Sequence, residues 1–161
     1  MINETWRLAP WADALYACDR RWWELRGPSA GEFAGLRFIG TGEYPGCIPC
    51  GVSARTNEMQ WDGERLGAGG NSGFQVVNLA AICGARRIVL TGFDMALDEG
   101  VHWHGRHDRL NNPDARMLRN CARLLDAAIV ELVARGVEAV NASRRTALKA
   151  WPRMSIEEAL A

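Results

Sequence analysis

The chain has 161 residues, 48% of them hydrophobic and 24% charged, with 19 basic and 19 acidic side chains. That length holds one domain, the apolar share is enough for a packed core, and a net charge of zero argues against a protein whose main work is coating nucleic acid. No window approaches the roughly 18 apolar residues of a membrane span, and Met1-Ile2-Asn3-Glu4 carries neither region of a secretory signal, so a cytoplasmic protein without a membrane partner is expected.

In chain order, Ala14 to Cys18 is a short apolar run ending at Asp19, the pattern of a buried strand with a carboxylate at its C-terminal edge. Arg20 to Arg26 follows as a short helix carrying Trp22 and Trp23 and stopped by Gly27-Pro28. Leu36 to Ile39 reads as a second strand, and the glycine-rich stretch over 40–70 allows a further one near Asn57 to Trp61. Asn71 or Ser72 caps a helix that runs to about Cys83, with Gly84 beyond its end. Arg87 to Thr91 is a strongly apolar strand leading into Gly92-Phe93-Asp94. Asn112-Pro113-Asp114 starts a long helix over 113–135, with an apolar stripe from Met117 through Cys121, Leu125 and Ile129 to Val133 and a stop at Gly136. Val137 to Asn141 is the next strand, and Ser155-x-x-Glu158 is a capping box before a short last helix.

Strands alternating with helices predict an α/β fold with a mostly parallel sheet. The strands at 14–18, 87–91 and 137–141 are expected in one sheet. In such sheets ligands bind beyond the carboxyl ends of the strands, which selects Asp19, Gly92 to Asp94, and Asn141 to Ser143. The five cysteines, an odd number, read as free thiols, with Cys83 and Cys121 buried on helix faces. Eighteen arginines against the single lysine, Lys149, fit coding bias, and they also suit bidentate phosphate recognition.

Three constellations carry chemistry. Gly69, Gly70, Asn71, Ser72 and Gly73 stand just before a helix, where unobstructed N–H groups make an anion site. The run is neither a dinucleotide fingerprint, since Ser72 falls where the third glycine belongs, nor a Walker loop, since no lysine follows. His102-Trp103-His104-Gly105-Arg106-His107-Asp108 holds all three histidines, which can act as a general base, metal ligands or phosphate donors, with Asp94 upstream to orient one of them or to ligate a metal. The alternative is a surface loop with local hydrogen bonds. Cys47-Ile48-Pro49-Cys50 lacks the second pair of a zinc ribbon, and no residue is assigned as a metal ligand.

Asn71-Ser72-Gly73-Phe74-Gln75, Gly84 through Ile88-Val89-Leu90 to Gly92-Phe93-Asp94, and the His102 to His107 loop together resemble phage-associated proteins. These belong to the Rossmann-like group that includes MptE-like 6-hydroxymethylpterin diphosphokinases and, more distantly, bacterial sialyltransferases. Asn141-Ala142-Ser143 with Thr146-Ala147-Leu148 is similar to their late strand and turn. The resemblance implies a single Rossmann-like three-layer domain over 1–161. It implies a nucleotide or nucleotide-sugar partner near the glycine loop, Asp19, Ser143 and Thr146, with Asp94, His102, His104 and His107 facing the transferred group. It also implies Mg²⁺ on the nucleotide in the diphosphokinase branch. The family ordinarily carries a strand and a G-x-G-P-S phosphate loop ahead of the Asn3 region, so an N-terminally shortened member is expected. Two functions follow: a transferase-like, nucleotide-binding domain, or a non-catalytic phage-associated binding or assembly protein that keeps the fold. Self-association, as a homo-oligomer, is left open by the sequence.

Overall fold

The computed structural model describes residues 1–98 and 100–161 and is mixed α/β, built from short parallel strands and helices. β1 (Ala14–Asp19) and β2 (Leu36–Thr41) pair in parallel around the helix α1 (Arg20–Ala30), with Ala14 opposite Leu36 and Asp19 opposite Thr41. β3 (Ile48–Pro49) joins β2, and β4 (Val52–Ser53) pairs with β5 (Leu66–Gly67). After α2 (Ser72–Ile82), β6 (Arg87–Leu90) pairs in parallel with β7 (Glu138–Asn141) around α3 (Ala115–Ala134), and α4 (Ile156–Leu160) ends the chain. Every described ladder is parallel, and parallel neighbours need crossovers of the kind α1 and α3 supply.

The local reasons are legible. Leu15, Tyr16 and Ala17 are buried in succession, as in a strand covered on both faces. In α3 the buried stripe is Cys121, Leu124, Leu125, Ala128, Ile129 and Leu132, at helical spacing. α2 and α3 both close with a Schellman pattern: Ala85 N–H donates to Ala80 O at 3.0 Å and Val137 N–H to Leu132 O at 3.0 Å, over Gly84 and Gly136 in positive φ. Ser155 and Glu158 cap α4 reciprocally, at 3.1 and 2.9 Å. The apolar residues form two clusters, one around Leu15, Trp22, Trp23 and Ile39, the other around Phe74, Leu125, Leu132 and Trp151. No helix among the described residues is long and apolar enough to cross a membrane.

Several expectations need correction. The strands at 14–18, 87–91 and 137–141 do not share one hydrogen-bonded sheet: β1 ladders with β2, β6 ladders with β7, and the sheets are small and separate. α1 runs through Gly27-Pro28 to Ala30, because Ala30 is fully buried and Gly27 lies directly beneath the Tyr44 ring, so packing holds the last turn. No strand forms over 57–61, because the Asn78 side chain takes the backbone of Gln60, its N–H at 3.0 Å and its carbonyl at 2.7 Å. Asp114, not Asn112, caps α3, accepting from Met117 N–H at 2.7 Å. Cys121 is buried but Cys83 is exposed, since it lies past the end of α2. Met117 and Val133, at the two ends of the α3 stripe, are also exposed.

Candidate functional site

The glycine loop is fixed residue by residue. Gly67 N–H donates to Asn78 Oδ1 at 2.9 Å, and Ala68 receives Gln75 Nε2 on its carbonyl at 2.9 Å. Tyr16 OH donates to Gln75 Oε1 at 2.9 Å, so one buried glutamine ties β1, α2 and the loop together. Gly69 has φ +54°, and a Cβ there would overlap the Phe74 ring, so only glycine fits. Asn71 then caps α2, its Oδ1 accepting from Phe74 N–H at 2.9 Å. The first N–H groups of a helix have no intrahelical partner and carry the positive end of its dipole. Asn71 Nδ2 is buried and meets no hydrogen-bond partner among the described residues.

A second element ends nearby. Beyond β6, the Phe93-Asp94 turn is held from β7's C-terminal side: Phe93 N–H donates to Ser143 Oγ at 2.8 Å, and Thr146 Oγ1 donates to Phe93 O at 2.6 Å. Asn141, fully buried, fixes both partners by accepting from Ser143 N–H at 2.9 Å and donating to Thr146 Oγ1 at 3.1 Å. The hydroxyls of Ser143 and Thr146 therefore position the Asp94 turn. Thr146 still reaches the cleft described below, whereas Ser143 is buried behind it.

The histidine loop folds on itself. Gly105 N–H donates to His102 O at 3.0 Å, and Asn112 grips His107, accepting from its N–H at 2.8 Å and donating to its carbonyl at 2.9 Å. The three imidazoles meet: ring centres lie 5.0 Å apart for His102 and His104, 4.7 Å for His102 and His107, and 4.9 Å for His104 and His107. Trp103, more than half exposed, stands edge-on to His104.

One open cleft of about 2120 Å³ takes in both constellations. Its walls include Asp19, Gly70 to Gly73, Asp94 and Thr146, together with His102, His104 and His107. β1 and β6 both border it, through Cys18-Asp19 and Ile88 to Thr91. Arg21 and Arg109 add positive charge, Arg145 is paired with Asp98 at 2.7 Å, Glu4, Asp19 and Asp94 add negative charge, and Trp11 and Trp103 add exposed aromatic surface. Of the residues chosen from the sequence, Gly69, Asn141, Ala142 and Ser143 do not line it. A smaller cavity of about 420 Å³ between Arg55 to Glu58 and Arg123 to Glu131 contains none of them.

Gln75, Asn78 and Asn112, which with Asn141 hold the site in shape, are missing from the sequence-based assignment of site residues. Gln75 and Asn78 have a sequence signal: they are the polar residues, spaced i and i+3, of an otherwise apolar helix. Asn112 has none beyond its position before Pro113, whereas Asn141 is selected by its place at a strand end.

Burial, then the neighbouring His107, His104 and Arg106, hold the His102 imidazole down at about 4, and burial with His104 lowers His107 in the same direction. Both rings are thus neutral near pH 7. An unfolded histidine titrates near 6.5. Between that value and about 4 the unfolded chain binds more protons at His102, so stability rises with pH across the interval and is lost as pH falls through it. The melting temperature, measured with a chelator present, is expected to fall from pH 7 to pH 5, and less steeply in His102→Gln. Parallel curves for the two proteins would show that His102 contributes nothing to the slope.

Comparison with known proteins gives no relative: no family model matches the chain, and no curated protein or solved structure matches it either.

Proposed function

We propose that the chain is a Rossmann-like domain of transferase ancestry, of the phage-associated kind it resembles, which binds a nucleotide or nucleotide sugar in the cleft. The observation that carries this reading is the convergence of a capped, glycine-lined helix N-terminus with Asp94 and three imidazoles on one cleft. The loop and helix dipole suit a phosphate or pyrophosphate. Arg21 and Arg109 suit its charge, and exposed Trp103 and Trp11 suit a flat ring. The His102 and His107 imidazoles, neutral near pH 7, suit proton transfer at the reacting group, and Asp94 lines the same cleft. All described ladders are parallel, and the β1–β2 and β6–β7 connections contain helices, which supports the Rossmann-like architecture over an antiparallel α+β one.

The test is a thermal-shift panel of nucleoside mono-, di- and triphosphates and of CMP- and UDP-sugars, each with and without Mg²⁺ or Mn²⁺. A ligand at one hundred times its Kd adds ~2.7 kcal/mol, which for a chain of this size raises the melting temperature by roughly 5–10 °C. A phosphate-bearing ligand is expected to do so in the wild type. Asn71→Leu, which removes the cap and fills the space beside the loop, is expected to weaken that ligand at least about tenfold. His104→Ala is expected to lower turnover more than affinity if a group is transferred; binding without any turnover would favour the non-catalytic reading. Equal affinity in wild type and Asn71→Leu removes the site, and no stabilisation by any phosphate-bearing compound removes the function.

A further inference from the structure

The three histidines lie on a loop, so neither helical nor strand periodicity brings their rings together. The turn closed at Gly105 and the two-sided grip of Asn112 on His107 do. The outcome is that one ring nitrogen from each of His102, His104 and His107 lies within 4.8 Å of the other two. Points so spaced share a centre about 2.8 Å from each, against ~2.0–2.1 Å for a zinc–imidazole bond, so a contraction of about 0.7 Å, within reach of side-chain rotation, completes the contact.

Two of the rings also hold nitrogens that need a partner. His102 Nε2 and His107 Nδ1 are shut off from solvent and have no hydrogen-bond partner among the described residues. Buried polar atoms are ordinarily satisfied, and these two point to an occupant the loop itself does not supply. No carboxylate among the described residues belongs to the cluster. Three converging imidazoles suit zinc and its neighbours, while Mg²⁺ and Ca²⁺ demand oxygen.

We propose that His102, His104 and His107 form the binding site of one divalent transition-metal ion, zinc(II) in the first instance. All three residues line the cleft, so the fourth position of a tetrahedral ion opens onto it, where a water or an anionic oxygen of a ligand takes it. The inference does not depend on the nucleotide reading, because metal binding is measured without nucleotide.

Metal-stripped protein is titrated with zinc chloride, cobalt chloride and magnesium chloride, following heat and, for cobalt, the visible absorption of its d electrons. One equivalent of zinc or cobalt per chain is expected, with a tetrahedral cobalt spectrum and no saturable magnesium binding. His104→Ala and His107→Ala are each expected to weaken zinc at least about tenfold, a loss that even outer-shell changes at zinc sites produce. His104→Asn serves as the second variant where alanine disturbs the fold, judged by circular dichroism and cooperative unfolding. Cys47→Ser is expected to bind zinc like the wild type. The absence of stoichiometric zinc in the wild type overturns the proposal. So does unchanged affinity in folded histidine variants, or loss of zinc in Cys47→Ser.

Discussion

Replacing Asn78 by leucine is expected to remove about 3–5 kcal/mol of stability, a large part of the 5–15 kcal/mol that holds a typical domain together. Asn78 is completely buried, and its carboxamide serves three backbone groups at once. Its oxygen accepts from Gln60 N–H at 3.0 Å and from Gly67 N–H at 2.9 Å, and its nitrogen donates to Gln60 O at 2.7 Å. Leucine has the same branching and number of side-chain heavy atoms and makes none of these bonds. An unpaired buried N–H or carbonyl costs about 1–3 kcal/mol, and solvent entry at Gln60 relieves part of the sum. Urea unfolding of wild type and variant gives the difference directly. A loss below about 1 kcal/mol would mean that the 58–67 segment is held by something other than this side chain.

The second large effect is at the glycine loop. Gly69→Ala combines a backbone conformation at φ +54° with a Cβ driven into the buried Phe74 ring. Overpacking a core costs about 1–3 kcal/mol and an unfavourable positive φ about 1 kcal/mol, giving roughly 2–4 kcal/mol together. The relief available to the protein is to move the loop, and that displaces Gly70 and Asn71 from the cleft wall. The variant is therefore expected to be both less stable and weaker for phosphate-bearing ligands. Gly63→Ala is the control, since a Cβ at Gly63 meets nothing within 4 Å although its φ of +80° carries the same backbone strain. Equal destabilisation in the two variants would assign the whole effect to φ and none to the Phe74 contact.

The regular elements of this chain announce themselves because each has a local cause. The apolar run over 14–18, the stripe from Cys121 to Leu132, and the capping box at Ser155 and Glu158 all correspond to observed elements. So does the Asn71 cap. What the sequence conceals depends on contacts between distant residues. No local rule connects Asn78 to Gln60, so the stretch over 57–61 reads as a strand and is in fact a segment bonded to a helix side chain. Asn112 resembles a helix cap in sequence, yet its carboxamide turns back to His107 and the cap falls to Asp114. Ser143 and Thr146 stand at a strand end, where ligand contacts are common, but their hydroxyls are occupied by the backbone of Phe93. The candidate site follows the same division. The residue types that carry its chemistry stand out as clusters along the chain, while the amides that hold those clusters in place become visible only in three dimensions.

In the proposed function the loop at Gly70 to Gly73 and the loop at His102 to His107 are two walls of one anion-binding cleft. Hydrogen–deuterium exchange with and without millimolar pyrophosphate and Mg²⁺ tests it most directly, because pyrophosphate is the chemistry shared by the nucleotide ligands proposed. Amides of the first turn of α2 and amides between His102 and His107 are predicted to slow together on addition of pyrophosphate, with smaller changes at Asp94. Protection confined to one of the two loops, protection only near the cavity at Arg55 to Glu58, or unchanged exchange at both loops would contradict it.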